Sequence, residues 1–202
     1  MKFVCDKGDK RWVEIGGSNK MVTFKLWYES EFLKTTSFIK IQINFLEDII
    51  YPSRDKETIN LIEDQGQVEI ESVFPEDYEK YTAEVIIPSY DIREILCEKV
   101  RSILLRRGVK ARDFLDIYKI CDERDLELSR YTEEIVRKTN FSLDLYRKYR
   151  KNLDDKKLIL SNKDLFSWGD EREFVLTDID EEHLYGSVDK INTLLIDVVN
   201  NL

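Results

Sequence analysis

Lys99, Asp113 and Asp116 are the residues whose types and spacing could do chemistry. Ile92, Ile95, Leu96, Val100, Ile103 and Leu104 recur at helical spacing, and Lys99 falls among them, three, four or seven residues from Ile92, Ile95, Leu96 and Ile103. An ammonium in an apolar stripe loses hydration and requires an anion. Asp113 and Asp116, three apart, share one side of a second periodic run from Lys110 to Cys121, in which Ala111, Phe114, Leu115, Ile117, Tyr118 and Cys121 are apolar. If the two runs pack antiparallel about Gly108, Lys99 and Asp116 stand at one height with Asp113 one turn nearer the bend. Lys99 and Asp113 are then expected within about 4 Å of each other. Such a cluster is either a structural ion pair around a lysine stem that packs or a fixed cation for an anionic ligand such as phosphate. The residues alone leave both open.

The elements that must position these groups are legible on either side. Asp91 and Glu94 have the spacing of an N-cap and its N3 partner, and Gly108 suits a left-handed turn ending the first helix. Upstream, Trp12 to Ile15, Met21 to Tyr28 and Phe38 to Phe45 alternate as strands, with shorter strands expected around Gln67 to Phe74 and Ala83 to Pro88 and a loop at PEDYEKY. Downstream of Cys121 the pattern is helical to about Leu153, with a break at Asn140, and a last amphipathic helix runs from Val188 to Val199. The fold class is therefore α+β. The division expected is a mainly β portion over 1–90 and a mainly helical region over 91–202.

With 202 residues and 42% hydrophobic content the chain can bury a full core. Thirty-two basic against 41 acidic residues leave a net charge of -9, which argues against a protein that coats duplex DNA. Cys5, Cys97 and Cys121 are odd in number and lack CxxC spacing. They read as free thiols in a reducing compartment, with Cys97 at a helix flank. No run approaches the roughly 20 apolar residues of a spanning helix and no leader opens the chain, so a cytoplasmic protein without a membrane partner is expected.

Other candidates read as structural. Gly17-Ser18 followed by Glu29 and Glu31 imitates a metal- and triphosphate-binding Gly-Ser and acid-x-acid pair, but GGSNK runs straight into a strand and reads as a hairpin turn. Asp6 and Asp9 in DKGD read as a turn. His183, in a DEEH run, reads as solvated, and Trp12, Trp27 and Trp168 as core or edge anchors. Tyr146 to Lys151 is a dense basic segment with interleaved aromatics. It could stack on bases and touch phosphates, or its tyrosines could face the core with the cations solvated.

IREILCEK at Ile92 to Lys99, followed after a short basic turn by KARDFLDIY at Lys110 to Tyr118, resembles the two C-terminal motifs of the AbiEii-type nucleotidyltransferases, abortive-infection and toxin proteins of the polymerase-beta-like superfamily. VTFKLWY at Val22 to Tyr28 and IKIQINF at Ile39 to Phe45 are similar to that family's last core strands, and EVIIPS at Glu84 to Ser89 to the strand feeding the lysine helix. The resemblance implies a partial polymerase-beta-like nucleotidyltransferase sheet followed by a helical C-terminal half. It implies that Lys99 holds phosphate oxygens, that Asp113 orients that amine or the acceptor hydroxyl, that Arg112 supplies a second phosphate contact and that Asp116 pins the helix pair. A nucleoside triphosphate, an RNA or protein acceptor, Mg²⁺ if the protein is active, and a cognate antitoxin or other partner protein follow from it.

Two departures stand against activity. Gln42 occupies the position taken for a third carboxylate of the family, and a neutral amide is a poor ligand for a hard cation. The Gly-Ser helix and Asp-x-Asp strand of the family have no counterpart in the 202 residues, so no metal ligands are assigned. The alternative to a nucleotidyltransferase completed by a motif from elsewhere is a pseudoenzyme, a catalytically degenerate protein acting through a protein or RNA partner.

Overall fold

The computed structural model describes residues 8–16, 20–30, 34–59, 64–161, 165–176 and 178–202. The chain separates into two compact units, Met1–Asp48 and Ile49–Leu202. Cys5, Asp6, Gly17, Ser18 and Glu31 lie outside the described residues.

In the first unit β1 (Val13–Gly16), β2 (Met21–Glu29) and β3 (Thr36–Asn44) form an antiparallel sheet in the order β1-β2-β3. These are the strands expected from the alternation of β-branched and aromatic residues. The register pairs Val22 with Ile43, Phe24 with Ile41 and Leu26 with Ile39, so one face is apolar, while Thr23 and Gln42 stand opposite each other on the other face. Asp9 accepts from the Arg11 backbone N–H at 2.8 Å, and its carbonyl accepts from Trp12 and Val13, a turn that starts where the DKGD run ends.

In the second unit β4 (Arg54–Glu57) pairs antiparallel with β5 (Ile86–Ser89). Between them lie α1 (Asp64–Val73) and α2 (Pro75–Thr82). The strand expected around Gln67 to Phe74 is thus a helix, and PEDYEKY is a helix as well. The alternation of Val68 with Ile70 imitated a strand, but among the described residues no strand pairs with this segment, and a helix satisfies its backbone internally. Pro75 occupies the first turn of α2, where its missing N–H costs nothing.

The rest of the unit is helical: α3 (Ile92–Leu105), α4 (Ala111–Arg124), α5 (Thr132–Leu145), α6 (Arg147–Leu160) and α7 (Glu181–Asn200), with 3-10 turns at Leu128–Tyr131 and Gly169–Phe174. Asn140 does not break α5. The helix ends five residues later, where Tyr146 turns extended. Leu96, Val100, Ile103 and Leu104 of α3 pack with Phe114 and Ile117 of α4, Ile135 of α5, and Leu184, Ile191 and Leu195 of α7. Each such side chain, removed from water, contributes on the order of 1.5–3 kcal/mol. The architecture is α+β, small antiparallel sheets followed by a mainly helical body, and among the described residues no helix is long and apolar enough to cross a membrane.

Candidate anion site on the helical hairpin

The hairpin of α3 and α4 is set by its caps. Asp91 caps α3, its Oδ1 accepting the Arg93 N–H at 3.0 Å. The same carboxylate takes two bonds from the Arg93 guanidinium, at 2.9 Å each, which holds it well below the usual carboxylate range despite burial. Glu94 does not complete a capping box. Its Oε2 accepts the backbone N–H groups of Ile50 and Tyr51 at 3.1 and 2.9 Å. At the other end, α3 stops at Leu105 because Arg106 is extended at φ -75°, ψ 148°, with its N–H on Ser102. Gly108 is not in the left-handed region, where among the described residues only Lys34, Asp125 and Gly169 lie, and a Cβ added to it would meet nothing within 4 Å. The turn does not depend on glycine.

The stripe of α3 is rotated from its expected position. Cys97 is fully buried rather than flanking, while Ile92 and Ile95 are half-buried. Lys99 therefore stands at the margin of the buried face, not at its centre, and its side chain is 29% exposed. Burial pushes the Cys97 thiol up to about 12, so it stays protonated. Cys97 and Cys121 are free.

Lys99 meets both aspartates. Its Nζ lies 3.4 Å from Asp113 Oδ1, inside the expected reach, and also pairs with Asp116 Oδ2. Asp113 is 2% exposed and accepts on its second oxygen, Oδ2, from Arg106 Nη1 at 2.6 Å. It stands in the first turn of α4, where the helix dipole favours an anion. One buried carboxylate thus fixes two partly exposed cations, Lys99 and Arg106, while the half-exposed Asp116 pairs with the lysine from the other side. An anion that displaced Asp116 would find the amine oriented by Asp113 and a guanidinium beside it.

Arg112 is not part of this arrangement. Its guanidinium makes no ion pair among the described residues, and its backbone N–H donates to Glu171 Oε2 at 3.1 Å. Arg106 takes the second place at Asp113, and its signal was the seven-residue spacing from Lys99, two turns along one helix side. Mg²⁺ does not fit at this centre, because both carboxylates are already neutralised by cations. Gln42, at the position expected for a third acid, donates to its cross-strand partner Thr23 Oγ1 at 3.3 Å.

A second cluster went unread in the sequence. Lys138 of α5, 1% exposed, pairs with the equally buried Glu94 and with Glu98 Oε1 at 2.9 Å. Arg101 adds bonds of 3.0 and 2.5 Å to Glu98 Oε2. Burial alone would raise the Glu98 carboxyl, but Arg101 and Lys138 outweigh it and lower it. Burial alone would lower the Lys138 ammonium, but Glu94 and Glu98 outweigh it and raise it. Its signal was present, since Lys138 falls between Ile135 and Ser142 at helical spacing. His183 is exposed and 3.5 Å from Asp180 Oδ2, as a solvated histidine would be. It helps line a groove of about 870 Å³ along α4 and α7, with Tyr118, Asp122 and Lys190, that includes none of Lys99, Arg106, Asp113 or Asp116.

Comparison with known proteins adds a family. A family model described as nucleotidyl transferase AbiEii toxin, type IV TA system, matches residues 6–182. Neither a curated protein nor a solved structure matches the chain. The match takes in the three strands of the first unit and the whole hairpin with Lys99, Arg106, Asp113 and Asp116. The chain belongs to the AbiEii nucleotidyl transferase toxin family.

Proposed function

We propose that the hairpin centre grips the phosphates of a nucleoside triphosphate and that the protein serves a nucleotidyl transfer to an RNA or protein acceptor, as a toxin answered by a cognate antitoxin. The observation that carries this reading is the asymmetry at Lys99: a buried carboxylate, Asp113, orients the amine, yet the Lys99 side chain is 29% exposed and that of the neighbouring Arg106 45%. A purely structural lysine has no need of a second exposed cation on the same anion. Positioning a triphosphate and neutralising the charge that develops on it are the main work of phosphoryl and nucleotidyl transfer. Lys99 does this by leaving Asp116 for a phosphate oxygen while remaining on Asp113.

Mg²⁺, where the reaction uses it, requires carboxylates other than Asp113 and Asp116. Gln42 supports a second reading, in which the chain has lost transfer and acts by binding a protein or RNA partner. Expression in cells and incubation of the purified chain with α-labelled nucleoside triphosphates, Mg²⁺ and total RNA and protein separate the two. Growth arrest with label on a macromolecule, both abolished by Lys99→Met, is the result expected of the transferase. Arrest that persists in Lys99→Met with no label would leave only the binding reading.

A further inference from the structure

The sheet of the first unit ends on β3, and among the described residues no strand pairs with its outer edge. The ladder from β3 to β2 runs unbroken from Thr36 to Asn44, without glycine, proline or bulge. Phe45 N donates to the Lys20 carbonyl at 2.8 Å and Ser30 N to the Thr35 carbonyl at 2.9 Å, so in this register the odd-numbered residues of β3 bond to β2. The N–H and C=O groups of Phe38, Lys40, Gln42 and Asn44 therefore point outward, a template for a further strand. The opposite edge, β1, offers only Val13–Gly16.

The side chains follow the same division. Ile39, Ile41 and Ile43 share a face with Leu26, Phe24 and Val22, but while Val22 on the middle strand is buried, the three isoleucines are 54, 43 and 44% exposed. On the other face Lys40 stands opposite Lys25, which reaches Glu14 at 3.4 Å. An edge strand is ordinarily guarded by charge, and Lys40 is the one charged residue in β3.

We propose that this edge is a self-association surface, on which a second copy of the chain adds its own β3 antiparallel about a two-fold axis through Ile41. Directly opposed residues point to one face, so a two-fold that keeps the isoleucines together passes through a residue and not between two. Centred on Lys40, the pairing would set two lysines against each other, flanked by the two Lys25 side chains, which is repulsive. Centred on Gln42, it would leave Phe38 and Ile39 opposite residues beyond the end of β3 at Asn44. Centred on Ile41, Phe38 bonds with Asn44 and Lys40 with Gln42, each pair made twice. Ile41 then meets its own copy and Ile39 meets Ile43 at the non-hydrogen-bonded positions, where side chains approach most closely. One strand pair is at the small end of stable interfaces, so the dimer forms in the micromolar range. The inference is independent of the reading of the hairpin centre, which belongs to the second unit.

The test is sedimentation equilibrium of the full chain over a concentration series, beside Gln42→Glu and Gln42→Lys, together with oxidative cross-linking of Ile41→Cys and Ile15→Cys. The unaltered chain, with its own cysteines, sets the cross-linking background, and circular dichroism establishes that the variants are folded. The expected result is a reversible dimer, tightened roughly threefold in Gln42→Glu, where each new carboxylate faces Lys40 of the other copy, and weakened roughly tenfold in Gln42→Lys. Ile41→Cys should link to itself, because the Cα atoms of a non-hydrogen-bonded pair lie about 4.5 Å apart, within disulfide reach. Ile15→Cys, on the far edge, should stay at background. A chain that remains monomeric throughout the series, a dimer indifferent to both changes at Gln42, or linkage of Ile15→Cys equal to that of Ile41→Cys would overturn the proposal.

Discussion

Lys138 and Lys99 each stand between two carboxylates within one compact unit, and they differ in what surrounds the ammonium. Lys138 is sealed, with Glu94 equally buried and the Ile50 and Tyr51 amides filling that acid's remaining capacity. The cluster ties α5, α3 and the segment before β4 together. Lys99 has the same charge arithmetic but a half-exposed Asp116, an equally exposed Arg106 and a side chain that is itself partly exposed. The comparison teaches that an ion pair in a helix stripe says little about role until the exposure of each partner is known. A sealed pair stabilises or specifies packing, and an open one around a single buried anion can exchange partners.

The largest effect expected from breaking this comparison is at the sealed cluster. Lys138→Ala leaves Glu94 buried beside Glu98 with no cation between them, and should cost roughly 3–5 kcal/mol in denaturant unfolding. Glu94→Gln placed on top should recover part of that loss. Next comes Asp113→Ala, which leaves Lys99 and Arg106 without their shared anion. Both can rehydrate, so about 1–3 kcal/mol is expected. Lys99→Met should change stability by about 1 kcal/mol or less, since Asp113 keeps Arg106 when the amine is lost and the half-buried stem is retained. Equal costs for Lys138→Ala and Lys99→Met would erase the distinction.

The smaller effects lie in pH. Asp91 and Glu98 have carboxyls lowered in the fold from ordinary values of 3.8 and 4.5, so their contribution is present above those values and is lost as pH falls through the folded ones. On the alkaline side, Cys97 releases its proton near 9 when unfolded but only at about 12 when folded, so stability falls as pH climbs past 9. Lys138 acts in the same direction, its raised ammonium contributing fully below 10.5 and losing that contribution above it. Unfolding midpoints measured from pH 3 to 11 should therefore drop at both ends, and Cys97→Ala should flatten the alkaline limb.

How much of this was legible follows from which signals are local. The α3–α4 hairpin and the convergence of Lys99 with Asp113 and Asp116 were readable because helical periodicity fixes sides and heights before any packing is known. The β1–β3 strands were readable from their alternation. The rotation of the α3 stripe was not, since a cysteine counts as weakly apolar by type and Cys97 is buried by its neighbours. The helix at Asp64–Val73 was missed because Val68 and Ile70 alternate over a stretch too short to distinguish periods. Lys138 was missed although the rule applied to Lys99 applies to it, and Arg106 because residues at a helix end seem to belong to the turn. That Glu94 turns from its own helix start to Ile50 and Tyr51 is a tertiary choice that no local pattern carries.

The claim that the Lys99 centre is an open anion site while the Lys138 cluster is closed is tested most directly by nuclear magnetic resonance of the lysine Nζ groups during titration with inorganic tripolyphosphate at constant ionic strength. The account predicts a saturable shift of the Lys99 resonance, removed in Asp113→Ala where the amine is no longer held, and no shift of Lys138. A Lys99 resonance that stays in place to the end of the titration, or one that moves no further than those of isolated surface lysines, would contradict it.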